Sequence, residues 1–185
     1  MRHFLFVIPP LCVLAAVALD NIWERLWRYK HEAGRVFTVT IMGAAVWLAW
    51  QMAMLHPHQY VYYNQLVGGV AGAEGKWEID YWSNSLQEAA HALADFVQNE
   101  QEELGGESKT WKVTVCGHAL SAYYYFPPQL VYTKKLDEAD FMIMYTVGEC
   151  QKKFEGRRIA LIQRFGVPLA LVKDRRYLSI HGEGR

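Results

Sequence analysis

Asp80, Tyr81 and Trp82 stand side by side in a sequence of 185 residues. An acid isolated among aromatic rings is suited to holding a sugar. Its carboxylate accepts from ring hydroxyls while the Trp82 indole stacks on the apolar face of the ring. Asp80 also stands just ahead of a helix start, where Asp often accepts from backbone N–H groups instead. Both roles fit the sequence. Cys116 and Cys150 each follow a segment of strand character. A disulfide between them is permitted if that part of the chain lies outside the cytoplasm, and two buried thiols are the alternative. With Cys12 they make three cysteines, and no Cys-x-x-Cys or Cys/His metal spacing occurs. His56 and His58 are two apart, not the i, i+4 pair of a helical zinc site. No metal ligand and no cofactor is assigned. There is no GxSxG, HExxH or P-loop, and no base is expected beside a nucleophile. His56, His58 and His118 read as interfacial or structural. Gly68, Gly69, Gly72 and Gly75 depart from the GxGxxG order and read as a turning loop. No catalytic residue is assigned.

The charge pattern says what must position these residues. Formal net charge is zero, which argues against nucleic acid as the main partner. Only five of nineteen Lys/Arg and three of nineteen Asp/Glu precede residue 56. Residues 4–19 carry no charge and form a first apolar segment of sixteen residues, slightly short of the ~20 that span a bilayer. Pro9 and Pro10 would kink it, and a signal peptide is the rival reading. Residues 36–55 are twenty long and uncharged, and give the stronger transmembrane expectation, with Trp47 and Trp50 towards one end. Residues 20–35 between them hold Arg25, Arg28, Lys30 and Arg35 and read as a cytoplasmic loop by the positive-inside rule. Trp23, Leu26 and Trp27 would rest that loop on the membrane surface. Everything after His56 then lies outside the cytoplasm, in contact with membrane lipids at its start. The kinked first helix asks for helical neighbours, from a missing upstream portion or a partner subunit.

Three regions follow: a transmembrane region at 1–55, an interfacial junction at 56–75, and an exoplasmic α/β domain at 76–185. In the junction, Tyr60, Tyr62, Tyr63 and Asn64 read as a membrane-interface belt. In the domain, Ser85 three residues before Glu88 is a capping box. It opens a helix of about twenty residues with Leu86, Ala89, Ala90, Leu93, Phe96 and Val97 on one face, stopped by Gly105-Gly106. Strands are expected at 111–116, 130–133 and 141–145, a helical turn at 119–126, and a terminal hairpin of 158–164 and 168–173 around Phe165-Gly166-Val167. The fold class is α/β: two transmembrane helices followed by a small domain with a mixed sheet and a helix packed on it. Residues 74–107 hold nine acids and one Lys, while residues 150–185 hold nine Lys/Arg and three acids. These read as two solvated faces that attract one another, or as a basic end that meets anionic lipid or a phosphorylated substrate.

Several stretches together resemble the C-terminal end of bacterial polytopic membrane glycosyltransferases of the GT-C superfamily, related to the protein mannosyltransferases and the aminoarabinose transferases. They are Arg2-His3-Phe4-Leu5 with Pro9-Pro10; His56-Pro57 through Tyr60-Val61-Tyr62-Tyr63-Asn64 with Gly68-Gly69 and Gly72-Ala73; Asp80-Tyr81-Trp82 with Ser85 and Glu88; and Arg164 through Leu169. The resemblance implies a bacterial inner-membrane protein with a periplasmic C-terminal domain and a polyprenyl-phosphate-linked sugar as donor. It also implies that the catalytic acids lie in an early exoplasmic loop that this chain does not contain. The implied role is a membrane and exoplasmic module of a transferase, not catalytic alone. The alternative is a non-enzymatic, membrane-anchored binding or assembly module that works with a separate catalytic subunit.

Overall fold

A computed structural model describes residues 6–103, 109–150 and 154–180. The chain divides into two compact units, Met1–Ala53 and Met54–Arg185. The expected helix stop at Gly105-Gly106 lies outside the described residues.

The first unit is a helical hairpin. Helix α1 runs Ile8–Tyr29 and α2 runs His31–Met54. The expected loop at 20–35 is therefore helical apart from Lys30, whose extended backbone (φ −154°, ψ 131°) separates the two helices. The sequence explains this. Glu24 and Arg28 pair at i, i+4 with 2.7 Å between charged atoms, a spacing that supports a helix. Pro9 sits in the first turn of α1, where a missing N–H breaks no bond. Trp23 and Trp27 stack with ring centroids 5.5 Å apart, and the Trp23 indole N–H donates to Thr38 Oγ1 at 3.0 Å. The Trp27 ring lies so close to Gly34 that a Cβ there would stand 2.2 Å from it. These tryptophans close the hairpin onto α2. By length and composition, α2 is the one described helix able to cross a membrane. α1 carries Asp20, Glu24, Arg25 and Arg28 in its second half.

The second unit is mixed α/β. Its strands are β1 (Trp111–Cys116), β2 (Leu130–Tyr132), β3 (Phe141–Tyr145), β4 (Arg157–Arg164) and β5 (Val167–Asp174). They form a five-stranded sheet in the order β2-β1-β3-β5-β4. β1 is parallel to β2 and β3, while β3–β5 and β5–β4 are antiparallel. The helices are α3 (Gly69–Ala73), α4 (Ser85–Glu103), α5 (Leu120–Tyr123) and α6 (Arg176–Ile180). The hairpin turn is Phe165-Gly166, both with positive φ (49° and 77°), as a two-residue turn between twisted strands requires.

Strand alternation sorts the side chains onto two faces. Val113, Phe141, Ile143, Ala170 and Val172 meet Leu86, Ala89, Ala90, Leu93 and Val97 of α4. That apolar stripe is the one expected from the 3.6-residue period. Met142, Met144 and Leu171 face the other way and gather around Cys150, with Cys116 beside them. Cys116 and Cys150 are joined as a disulfide, with their Cα atoms 6.1 Å apart.

A third cluster is built from the stretch expected to be an interfacial junction. Leu55, Val61, Val70, Ala73 and Ile79 pack with Val167 and Leu169 of β5. Val61, Val70 and Ala73 of that stretch thus belong to the core of the second unit, because they find the end of the terminal hairpin, while Leu66 and Tyr60 stay exposed. Tyr62 and Tyr63 pack against this cluster, and the Tyr63 hydroxyl donates to the Glu78 carbonyl at 2.9 Å. The acidic helix and the basic C-terminal segment also meet: Glu88 pairs with Arg164 at 2.8 Å and Glu100 with Arg176. At these two points the opposite charges of the domain hold it together.

Candidate functional site

The stretch from residue 74 to residue 88 leads into α4 and divides into two parts with different chemistry. The later part is built inward. Asp80 is fully buried. Its Oδ1 accepts from the Asn84 N–H at 3.1 Å, and its Oδ2 accepts from the Ser85 N–H at 3.3 Å and from the Ser85 hydroxyl. The carboxylate therefore satisfies donors at the start of α4. Burial raises the Asp80 pKa above the ordinary carboxylate value, against the opposing hydrogen bonds from Ser85 and Asn84 and the nearby His58. Tyr81 and Trp82, in contrast, are 62% and 53% exposed, with rings in edge contact at 5.1 Å. The expected triplet is split: the acid serves the helix, and the two rings face solvent.

The expected capping box does not form. α4 begins at Ser85 itself, and Asp80 caps it from five residues upstream. The Glu88 carboxylate turns elsewhere. Its Oε2 lies 2.8 Å from His58 Nε2 and 2.8 Å from Arg164 Nη2. Arg164 also donates to the His56 carbonyl at 3.2 Å. Burial would raise the Glu88 pKa, but the hydrogen bonds from His58 and Arg164 outweigh it and hold the carboxyl below its ordinary value. With Glu88 ionised, His58 Nε2 is the donor. His58 is 2% exposed, and its Nδ1 has no partner among the described residues. This network ties the 56–58 segment, α4 and the hairpin together.

The structure places one histidine beside a hydroxyl. His118 Nδ1 is 3.1 Å from Ser121 Oγ. The contact is local to the first turn of α5, and among the described residues no acid orients the ring. It is a turn contact rather than a nucleophile and its base. Among the described residues no group of three His, Cys, Asp or Glu side chains is placed to hold a metal.

The earlier part of the stretch is built outward. Residues 74–79, the turn at 146–148, and Arg158, Leu161, Pro168 and Leu171 line a cleft of about 640 Å³. Its volume lies within the ~300–1,000 Å³ range of small-molecule sites. Trp77 lines it at 50% exposure. Behind Trp77 the Tyr63 ring stacks at 5.9 Å with an interplanar angle of 17°. The Tyr63 hydroxyl bond to Glu78 and the Trp77 N–H bond to the Ala73 carbonyl at 3.0 Å fix this platform. Glu74, Lys76, Glu78 and Arg158 line the same cleft. None of the four forms an ion pair or a side-chain hydrogen bond among the described residues.

No marker in the sequence distinguished Trp77, Glu74, Glu78 and Arg158 as a group. The available signal was an aromatic residue between charges in a Gly-flanked loop, Glu74-Gly75-Lys76-Trp77-Glu78. Arg158 joins them only through the sheet. No family model, no curated protein and no solved structure matches this chain.

Proposed function

We propose that this chain is a membrane-anchored module whose second unit works on the exoplasmic side of a bacterial inner membrane. In this reading it serves a glycosyltransferase that uses polyprenyl-phosphate-linked sugars, as an accessory module and not as the catalyst. One observation carries the exoplasmic assignment: the unit that follows the apolar helix α2 in sequence contains the Cys116–Cys150 disulfide. Such bonds persist in oxidising compartments and are rare in the cytosol. The four Lys/Arg at 25–35, at the end of α1 and the start of α2, support the same orientation. A second span in α1 belongs to this proposal. Its apolar half, from Ile8 to Leu19, would enter the bilayer, and its charged half would lie at the cytoplasmic interface.

The transferase assignment rests on the sequence resemblance. The accessory role rests on it too, and three acids of the second unit are taken up by the fold. Asp80 and Asp174 are buried in structural hydrogen bonds, and Glu88 is held by His58 and Arg164. The same facts favour a second reading, a non-enzymatic binding module with a separate catalytic subunit, because the cleft at residues 74–79 is open while these acids are engaged.

The orientation is tested with a phosphatase reporter fused at Gly184, which is active only outside the cytoplasm. Activity from the fusion is expected. Activity of a cytoplasm-specific reporter alone would remove the proposal. The transferase link is tested by deleting the chain from its host and measuring sugar transfer from polyprenyl phosphate in isolated membranes. Transfer at the undiminished rate would leave only the second reading.

A further inference from the structure

We infer that the cleft at residues 74–79 is a binding site for a neutral pyranose sugar. The inference does not rest on the transferase reading, since a binding module without a transferase would use the same cleft. It begins with Trp77. Several large side chains of the second unit are exposed, Trp82 and Tyr124 among them, but among the described residues Trp77 is the exposed ring that lines the cleft. This ring is not loose. Tyr63 stacks behind it, and Tyr63 is itself tied to the backbone at Glu78. The platform is therefore rigid before anything binds, which lowers the entropy lost on binding. The apolar C–H face of a pyranose is the partner that such a flat ring accepts beside polar groups.

The charges select the ligand further. Glu74 and Glu78 stand with Lys76 and Arg158 around the cleft, two of each sign. A phosphate or sulfate would gain from Lys76 and Arg158 and lose against the two carboxylates. A cation would meet the reverse. A neutral polyol gains from all four, because each hydroxyl both donates and accepts. Carboxylates accept, and the ammonium and guanidinium donate, in charge-assisted bonds stronger than neutral ones. That these four groups form no ion pairs or side-chain hydrogen bonds among the described residues leaves them available. By the same reasoning Asp80 is not part of this site: its oxygens are committed to the start of α4.

The test uses the full chain in detergent micelles that contain no sugar headgroup. It is applied to an array of neutral mono- and oligosaccharides, and the strongest binder is then titrated by calorimetry. The expected result is saturable binding of at least one neutral glycan. Trp77→Ala should weaken it about tenfold or more, the scale of a buried aromatic anchor. Trp77→Phe should retain most of it, and Glu78→Gln should weaken it several-fold. Binding should persist in high salt and in excess inorganic phosphate, because no net charge is neutralised. Glu78→Gln is nearly isosteric and Trp77→Phe keeps an aromatic ring, so both guard against misfolding of the alanine variant. Absence of binding to every glycan would overturn the inference. So would a glycan whose affinity is the same in all three variants, or one displaced by phosphate. Failure of the orientation test with glycan binding intact would remove the exoplasmic proposal and leave this site standing.

Discussion

Residues 74–79 and residues 80–85 are consecutive pieces of one connection, yet they treat their polar side chains in opposite ways. In 80–85, Asp80 is completely buried and hydrogen-bonded to the first residues of α4. In 74–79, Glu74, Lys76, Trp77 and Glu78 line an open cleft. The difference comes from Ile79. Its side chain is anchored in the cluster with Leu55, Val61 and Leu169, so the chain turns from surface to interior at that residue. An acid beside aromatics is not by itself a ligand site. The acid belongs to whichever donors its backbone brings near, and for Asp80 those are the orphan N–H groups of a helix.

Substitutions should divide the two pieces by the kind of damage they do. The largest effect is expected at Asp80. Asp80→Ala strands two backbone N–H groups and a buried hydroxyl and should lower stability by about 2–4 kcal/mol, measured by denaturant unfolding. Sugar affinity of the fraction that folds should be unchanged. A loss of affinity at full stability would show that Asp80 belongs to the ligand site after all.

Glu88 should give the next effect, and it depends on pH. Its folded pKa is lowered, so the stability it contributes is present above its unfolded value and is lost as pH falls through its folded value. Asp80 has the opposite sign. Its raised pKa means that the native state binds the proton more readily, so its stability falls as pH rises from its unfolded value through its folded value. Unfolding free energies across the acid range in Glu88→Gln should show a shallower acid loss than wild type. An unchanged slope would mean that the pairing with His58 and Arg164 contributes nothing.

The smallest effect is expected at the exposed rings. Tyr81→Ala and Trp82→Ala should each change stability by less than about 1 kcal/mol and leave sugar affinity within about twofold. Trp77→Ala, only a few residues away, should reduce affinity about tenfold. Equal losses at Trp77 and Trp82 would erase the distinction between the two pieces.

The legible parts of the fold were those with local periodicity. Leu86, Ala89, Ala90, Leu93 and Val97 recur at helical spacing and lie buried on α4. The alternating β1, the apolar β3 and the Gly-turned hairpin also carry short-range patterns. What could not be read locally depends on distant partners. The Ser85–Glu88 spacing fits a capping box, but Arg164 comes from 76 residues away and takes the glutamate. The charges at 20–35 read as a loop, but Glu24 and Arg28 support a helix, and the tryptophans pack on Gly34 and Thr38. Two possible roles of Asp80 were legible. Choosing between them required knowing where α4 begins. The cleft was not legible, because β3 and the β4–β5 hairpin bring the 146–148 turn and Arg158 to the 74–79 segment only after the sheet has formed.

The central claim is that the second unit matures in an oxidising, exoplasmic compartment, and thiol counting tests it most directly. Intact cells are treated with a membrane-permeant alkylating agent before lysis, and the full chain is then weighed. The account predicts a single label, on Cys12, the one free cysteine, with two more appearing at Cys116 and Cys150 only after reduction. Three labels without reductant would contradict it and place the unit with the reduced proteins of the cytosol.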